Sequence, residues 1–394
     1  MNILSIETSC DETAVSIVKA DGQFPDASYE VLGDALHSQV DLHAEYGGVF
    51  PMLAKREHAK KLIPMLTKAL TEADLLHEEE SVLTQAQVEM LHELLIHESE
   101  SGMIEELITF FQTYEKPDVE LIAVTSGPGL EPALWVGVNF AKALSEVWNI
   151  HVVPVNHMEG HVLATIFDVE EDNKLAQVSF PAVSLLISGG HTELLRMDDW
   201  KTYDKIGQTK DDAIGEAFDK VARMMGLPYP GGPEISRLAK LARAANLPPF
   251  AELPRPMLHS KDLDFSFSGL KTAVRYAIDG KELGETDMEA LARDFEDAAT
   301  EVLIKKTKDA LDESGAQTLI IGGGVSANQH IRNCFHSELL ESHPDVEIYF
   351  PNPGLSTDNS VMIALSGHAR TDRAANPAAA KLIKADGNRN IADQ

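Results

Sequence analysis

Ile3-Leu4-Ser5-Ile6-Glu7-Thr8-Ser9-Cys10-Asp11-Glu12-Thr13-Ala14-Val15-Ser16-Ile17-Val18 sets the architecture expected of this 394-residue chain. Two apolar runs, 3–6 and 13–18, flank six polar residues, the pattern of strand, turn and strand. The turn gathers hydroxyls, acids and backbone N–H groups. That composition suits a phosphate or a metal-bound phosphate, and it equally suits a plain polar hairpin. A similar unit returns at 183–196, where Val183-Ser184-Leu185-Leu186-Ile187 and Thr192-Glu193-Leu194-Leu195 flank Ser188-Gly189-Gly190-His191. Paired glycines let backbone approach a ligand that side chains would exclude. An element that opens the chain and recurs near its middle predicts two related lobes facing each other across a cleft.

The totals agree. A chain of this length exceeds one small core, so two domains are the default. Hydrophobic content of 44% and charged content of 24% are those of a globular protein. No run of eighteen apolar residues is long enough to span a membrane, and Met1-Asn2-Ile3-Leu4 lacks the basic start of a secretory signal. With Cys10 and Cys334 alone, a disulfide framework is not expected, and a cytoplasmic enzyme is the simplest reading. The net charge of -30 runs against nucleic-acid binding, which phosphate neutralisation drives. RNA would need a local basic path or a partner that supplies one. Lys55-Arg56 and Lys60-Lys61, on one expected helix, form either such a patch or an ordinary solvated face.

Along the chain, a helix is expected at 59–69, with its first turn near Pro64. Leu121 to Thr125 reads as a buried strand entering Ser126-Gly127-Pro128-Gly129-Leu130. A helix at roughly 134–147 follows, its first N–H groups open to an anion. Residues 72–117 read as an acidic helical hairpin with apolar Leu83, Val88, Leu91, Leu94 and Leu95; His77, His92 and His97 do not share a face there. Asp211 to Lys220 opens an amphipathic helix that stops at Gly226, and Asp219 on it can bond a ribose hydroxyl or simply be solvated. Tyr229-Pro230-Gly231-Gly232-Pro233 is a rigid loop, and Asp264 to Lys271 a polar–aromatic loop before a helix. Leu319-Ile320-Ile321 is a strand that leads through Gly322-Gly323-Gly324 to Asn328, whose amide offers both a donor and an acceptor to a base. The last residues, 371–394, read as a poorly ordered tail.

One stretch stands out for chemistry. His157-Met158-Glu159-Gly160-His161 follows the apolar run 150–155 and puts two imidazoles on one helix face, where they can grip a divalent ion. Zinc proteases place the glutamate directly after the first histidine; Glu159 sits midway instead. A third ligand must come from elsewhere, and Asp358 in Ser356-Thr357-Asp358-Asn359 is the best candidate. Two histidines and an aspartate with open positions suit catalytic Zn(II) or Fe(II). The plainer reading is a pair of surface histidines at a helix start.

Together these motifs resemble one family, the universal tRNA threonylcarbamoyladenosine transferases of the sugar kinase/actin superfamily, in their bacterial form. The likeness covers Ile6 to Thr13, Tyr46 to Val49, Ser126 to Gly129, His157 to His161, Ser188 to Thr192 and Asp211 to Lys220. It continues through Tyr229 to Pro233, Phe265 to Lys271, Gly323 to Asn328 and Thr357 to Asn359. The resemblance implies an α/β, two-lobed actin-like fold, each lobe a mixed sheet flanked by helices, with a nucleotide between the lobes. The lobes would span 1–150, carrying the 72–117 insertion, and 151–370. It further implies one metal, Fe2+ or Zn2+, on His157, His161 and Asp358. Leu186, Ile187, Ser188, Gly189 and Gly190 would cradle the phosphate side of an adenylate, and Asp219, Gly232 and Asn328 its ribose and adenine. The donor would be threonylcarbamoyl-AMP, with ATP or AMP able to enter the same place. The acceptor would be adenosine 37 in the anticodon loop of tRNAs reading codons that begin with A, and Asp11 or Glu12 would take the amine proton. Companion proteins would be a degenerate paralogue of TsaB type and a small ATPase of TsaE type.

Three features depart from that pattern: the acidic insertion, the absence of an Arg/Pro/Trp ending, and Glu131-Pro132 after the Ser-Gly-Pro-Gly-Leu loop. Competing readings are an ATP-dependent phosphotransferase or ATPase of the same superfamily, which would want an aspartate where Glu7 stands, and a metallopeptidase.

Overall fold

The computed structural model describes residues 1–169 and 173–393, with the backbone only of Ser99 and Glu100. Residues 170–172 of the expected second lobe, and Gln394 of the expected tail, lie outside the described residues. The chain forms two compact units: Met1–Ala176 together with Asp358–Asp393, and Gln177–Thr357. The division expected at 150 therefore moves to Ala176, and the end of the chain returns to the first unit. The physical reason is pairing: His151–Asn156 completes the first sheet, and Ser360–Ala369 packs on its face.

In the first unit, β1 (Asn2–Glu7), β2 (Glu12–Asp21) and β3 (Ser28–Ser38) form an antiparallel meander. β4 (Leu121–Gly127) and β5 (His151–Asn156) add in parallel on the other side of β1, while the short β6 (Phe167–Asp168) and β7 (Lys174–Leu175) extend the β3 edge. β1 and β4 are buried along nearly their whole length, so alternation is hidden and each reads as a short continuous apolar run. Leu4, Ile6, Val15 and Ile17 share a core with the helices Pro51–Glu72 and Glu131–Trp148. Ser16 points the other way and meets Ser360 at the start of the Ser360–Ala369 helix. The Pro51–Glu72 helix begins well before the expected 59. Pro64 lies inside it on the solvent side, where the missing N–H and the resulting bend cost least.

The second unit repeats the plan. β8 (Ala182–Ile187), β9 (Thr192–Met197) and β10 (Tyr203–Gln208) are antiparallel, and β11 (Thr318–Gly322) and β12 (Glu347–Tyr349) add in parallel beside β8. The order β10-β9-β8-β11-β12 matches β3-β2-β1-β4-β5 strand for strand and sense for sense. This is the α/β architecture expected: mixed sheets flanked by helices, recurring in two units. Five helices, Ile214–Met224, Gly231–Ala244, Ser268–Ile278, Glu285–Ser314 and Gln329–Ser342, complete the core around Phe218, Phe265, Phe295 and Phe335. Tyr229 to Pro233 is thus not only a loop, because Gly231 and Gly232 already open a helix.

The insertion is helical as expected, with Gln85–Leu94, a 3-10 turn at Ile96–Ser101 and Met103–Thr113. It buries Leu91, Leu95, Met103, Ile104 and Leu107 against the Pro51–Glu72 and Glu131–Trp148 helices. The tail corrects the expectation of poor order. Ala375 pairs with Val152 through two backbone hydrogen bonds, Asn376 caps Pro377–Ala380, and Ile391 is buried. Asp386 N donates to Ser126 O at 2.9 Å, and Arg389 donates to Ser126 Oγ at 2.7 Å. Ending the chain at Lys384 should destabilise the protein by roughly 2–4 kcal/mol, the sum of a few such bonds and a buried isoleucine. An unchanged urea midpoint in that truncation would show the segment to be unanchored.

Candidate metal centre and nucleotide pocket

β5 runs straight into the helix His157–Thr165, whose start is capped by Asn156 Oδ1, accepting from Met158 N at 2.9 Å. His157 and His161 therefore lie one turn apart, their rings 4.7 Å between centroids and nearly perpendicular. Asp358 Oδ1 is 3.4 Å from His157 Nε2 and 3.1 Å from His161 Nε2. One ligand atom from each of the three fits within 4.8 Å of the others. The histidines are buried, which rules out the plainer surface reading.

Two contacts bring Asp358 there. Glu159 forms a buried ion pair with Arg370, Nε to Oε1 at 2.8 Å, tying this helix to the far end of Ser360–Ala369. Gly160 lets the same two helices meet: a Cβ there would lie 3.1 Å from Met362 Cγ. Glu159, which the zinc-protease comparison left without a role, thus positions the ligand set.

Glu7 was the residue sequence reasoning missed. Its Oε2 lies 3.0 Å from His157 Nδ1 and accepts from Thr125 Oγ1 at 2.6 Å. A carboxylate on the far nitrogen fixes the tautomer and leaves Nε2 facing Asp358. Burial works against a charge on His157, but Asp358 and Glu7 outweigh it and hold the imidazole well above its ordinary value. Burial likewise works against ionised Asp358, yet His157 and His161 keep its carboxyl well below the usual range. His161 is the informative group: its buried Nδ1 has no hydrogen-bond partner, and its buried Nε2 lies against Asp358 Oδ1 at 3.1 Å. Two buried imidazoles whose Nε2 atoms turn toward one carboxylate are the donor set a divalent cation accepts, so the residues fit the implied metal.

Asp11 and Glu12 sit at the start of β2, Asp11 nearly buried. Glu12 is pushed up to about 10, first by burial and then by the charges of Asp358 and Asp11. Burial and Asp11 also push the Cys10 thiol up.

The second predicted group falls in the other unit. A cavity of about 410 Å³ is lined by Gly189, Asp219, Gly232 and Asn328, with Phe218, Tyr229, Ser236 and Gly324 among the rest. Leu186 and Ile187 do not line it, being fully buried in β8. Ser188 holds the turn, its Oγ accepting from His191 N at 3.1 Å, and Gly190 is exposed at the tip. The turn and the β11 loop press together. A Cβ on Gly323 (φ +88°) would lie 2.5 Å from Ile187 O, so only glycine serves. At Gly189, Gly232 and Gly324 a Cβ would meet no protein atom, so the space beside them is left to something other than the protein.

Asn328 corrects its expected role. Its Oδ1 caps Gln329–Ser342, accepting from His330 N and Ile331 N, and its Nδ2 donates to Ser236 Oγ at 2.8 Å and Glu296 Oε1 at 2.7 Å. The amide is fully engaged and shapes the cavity wall rather than reading a base. Asp219 similarly braces the loop, Oδ1 accepting from Gly231 N at 2.7 Å. Beneath them, buried Glu296 pairs with Arg243, and Asp297 with Arg243 and His330.

Among the described residues no helix is long and apolar enough to cross a membrane. A family model described as TsaD, tRNA N6-adenosine threonylcarbamoyltransferase, matches residues 30–82 and 97–365. A protein of that name from Burkholderia ambifaria is 40% identical over 380 residues, 95% of this chain and 93% of its own. One from Paraburkholderia xenovorans is 39% identical over 376 residues, with the same coverage. Among solved structures, a ROK family protein from Streptococcus pneumoniae aligns over 94% of this chain and 99% of its own, at 11% identity and a TM-score of 0.45. The chain belongs to the tRNA N6-adenosine threonylcarbamoyltransferase family. It is a transferase that modifies tRNA, and the unmatched gap at 83–96 contains the Gln85–Leu94 helix of its insertion.

His330 gives a pH test of the cavity's foundation. Burial lowers its value, but Asp297 at 3.0 Å outweighs that and raises it from 6.5 to about 9. A raised value stabilises the fold fully below pH 6.5, and the contribution disappears as pH climbs through about 9. The wild type should lose on the order of 1–2 kcal/mol across that window relative to His330→Gln, after allowing for solvent screening. Parallel pH profiles of the two denaturant midpoints would refute the coupling.

Proposed function

We propose that this chain transfers the threonylcarbamoyl group of threonylcarbamoyl-AMP to N6 of adenosine 37 in tRNAs reading codons that begin with A. The observation that supports the reading most directly is the convergence of the buried His157 and His161 on Asp358, their ligand atoms within 4.8 Å of one another. The adenylate is assigned to the cavity at Gly189, Gly232 and Gly324, whose volume suits a nucleotide and whose open glycines leave room for one.

N6 attacks the carbamoyl carbon, a C–N bond forms, and the C–O bond to the phosphate breaks, releasing AMP. The N6 proton passes to the carboxylate of Asp11, which directly precedes Glu12 at the start of β2. Backbone N–H groups of the glycine turns are available to the phosphate side. Fe2+ or Zn2+ on His157, His161 and Asp358 would supply Lewis acidity toward an anionic oxygen. Glu7 contributes by orienting His157, and Glu159 with Arg370 by holding the two helices in register. These engagements count against the rivals. Glu7, already bonded to His157, Thr125 and Ser9, is poorly placed to hold a metal–phosphate, and Glu159, paired to Arg370, cannot act as a peptidase base. A paralogue of TsaB type and an ATPase of TsaE type are the partners this reading calls for.

The test supplies the full chain, with those two partners from its own genome, with Zn(II) or Fe(II), threonylcarbamoyl-AMP and unmodified tRNA. Modified adenosine is expected. Inorganic phosphate release from ATP by this chain, or a cut peptide, without modification would replace the reading with a rival. His161→Ala should lower bound metal and transfer together, each at least tenfold, with the melting temperature little changed. Full transfer by a metal-depleted variant would overturn the role of the cluster. Gly232→Val, at a cavity-lining position where an added Cβ meets no protein atom, should weaken AMP binding at least tenfold by calorimetry while leaving metal content unchanged. Unchanged AMP affinity would move the adenylate elsewhere.

A further inference from the structure

Most of this surface repels RNA, yet one small region of the first unit is built differently. Tyr46, Phe50 and Met52 are 57%, 53% and 67% exposed, and the Tyr46 and Phe50 rings lie 5.4 Å apart. Three large apolar side chains together in water call for an occupant. They are held in place from beneath: Tyr46 N donates to His43 O at 3.0 Å, and Phe50 N to Nδ1 of the fully buried His43 at 3.4 Å. Met52, Arg56 and Lys60 then follow at four-residue spacing along one side of the Pro51–Glu72 helix. Arg56 is exposed and has no ion pair or side-chain hydrogen bond among the described residues, whereas Lys60 is shared with Glu57 and Lys55 faces the insertion at Glu98. The region is fastened to the first turn, since Gln39 N donates to Asp11 O at 2.9 Å and His58 Nε2 lies 3.0 Å from Cys10 O.

We propose that Tyr46 and Phe50 are a stacking platform for unpaired bases of the RNA substrate loop, with Arg56 paired to a flanking phosphate. This rests on the transferase reading and adds to it the surface that receives the acceptor. Unstacked loop bases present π-faces that aromatic side chains take without regard to sequence, and a cation beside the rings anchors the backbone. Exposed Arg56, in the second turn of the helix that Phe50 precedes, supplies a cation for one phosphate, while the exposed Asp41 and Glu45 ahead of Tyr46 carry the opposite charge, so the rings make the platform and Arg56 anchors it.

The probe is an unmodified anticodon stem–loop hairpin, titrated by fluorescence anisotropy against the full chain over a salt series. The Tyr46→Ala/Phe50→Ala double variant should bind at least tenfold more weakly with the salt slope unchanged. Arg56→Glu should reduce the slope of log affinity against log salt by about one. Tyr46→Phe should retain binding, and AMP affinity should be the same in all variants, which separates lost stacking from lost fold. Unchanged hairpin affinity in the double variant overturns the platform. So does a double variant that instead changes the sedimentation of the chain with itself or with its paralogue, since the rings would then cover a protein. A wild type that binds the hairpin through these residues but never modifies it leaves the platform standing and removes the transferase reading.

Discussion

The crossing of the His157–Thr165 and Ser360–Ala369 helices is the constraint on which the candidate metal centre depends. All residues of both helices are buried, so neither has an apolar stripe to set its rotation. Hydrophobic burial alone would accept several registers between them. The Glu159–Arg370 pair chooses one, because leaving either charge alone in that interior costs several kcal/mol more than keeping the pair. Gly160 then allows the approach that the chosen register needs. With the helices fixed, Asp358, two residues before the second helix begins, has one place to go.

What could be read in the sequence divides along a physical line. The hairpin at 3–18 and its echo at 183–196 were legible because buried strands are short apolar runs and their polar turns interrupt them sharply. The two histidines were legible because helical spacing is local. Asp358 was found by motif, and the structure puts it beside them. Less local facts were hidden. Glu7 reads as one more acid in a polar turn until β1 and β5 bring it against His157. Asn328 looked available to a ligand because nothing in its neighbourhood announces Glu296 and Ser236 as its partners. The tail looked disordered by composition, but small residues such as Ala380 fit close against a helix, and the order comes from backbone bonds that composition does not encode. The boundary at Ala176 was missed for a similar reason, since strand pairing, not a linker, sets it.

Around the same crossing, acids crowd. Glu7, Asp11, Glu12 and Asp358 lie around the two histidines, and burial first, then the charges of Asp358 and Asp11, pushes the Glu12 carboxyl up to about 10. Such an arrangement is poor for stability in a chain already strongly acidic, and local rules are broken in this way chiefly where a site needs it. The cavity of the other unit is the opposite case: Asn328, Ser236 and Glu296 on and beneath its wall satisfy one another, and its volume is bounded in part by glycines.

The first unit is discontinuous, and that has a consequence for biogenesis. As the chain leaves the ribosome at about 5–20 residues per second, the nascent meander and its helices are available early, yet the face awaiting Ser360–Ala369 stays bare for many seconds. Gln177–Thr357, by contrast, is contiguous and can close as soon as it emerges. The ligand set is thus assembled last, after the intervening unit has been made, and a nascent or prematurely terminated chain would carry the two imidazoles without their carboxylate.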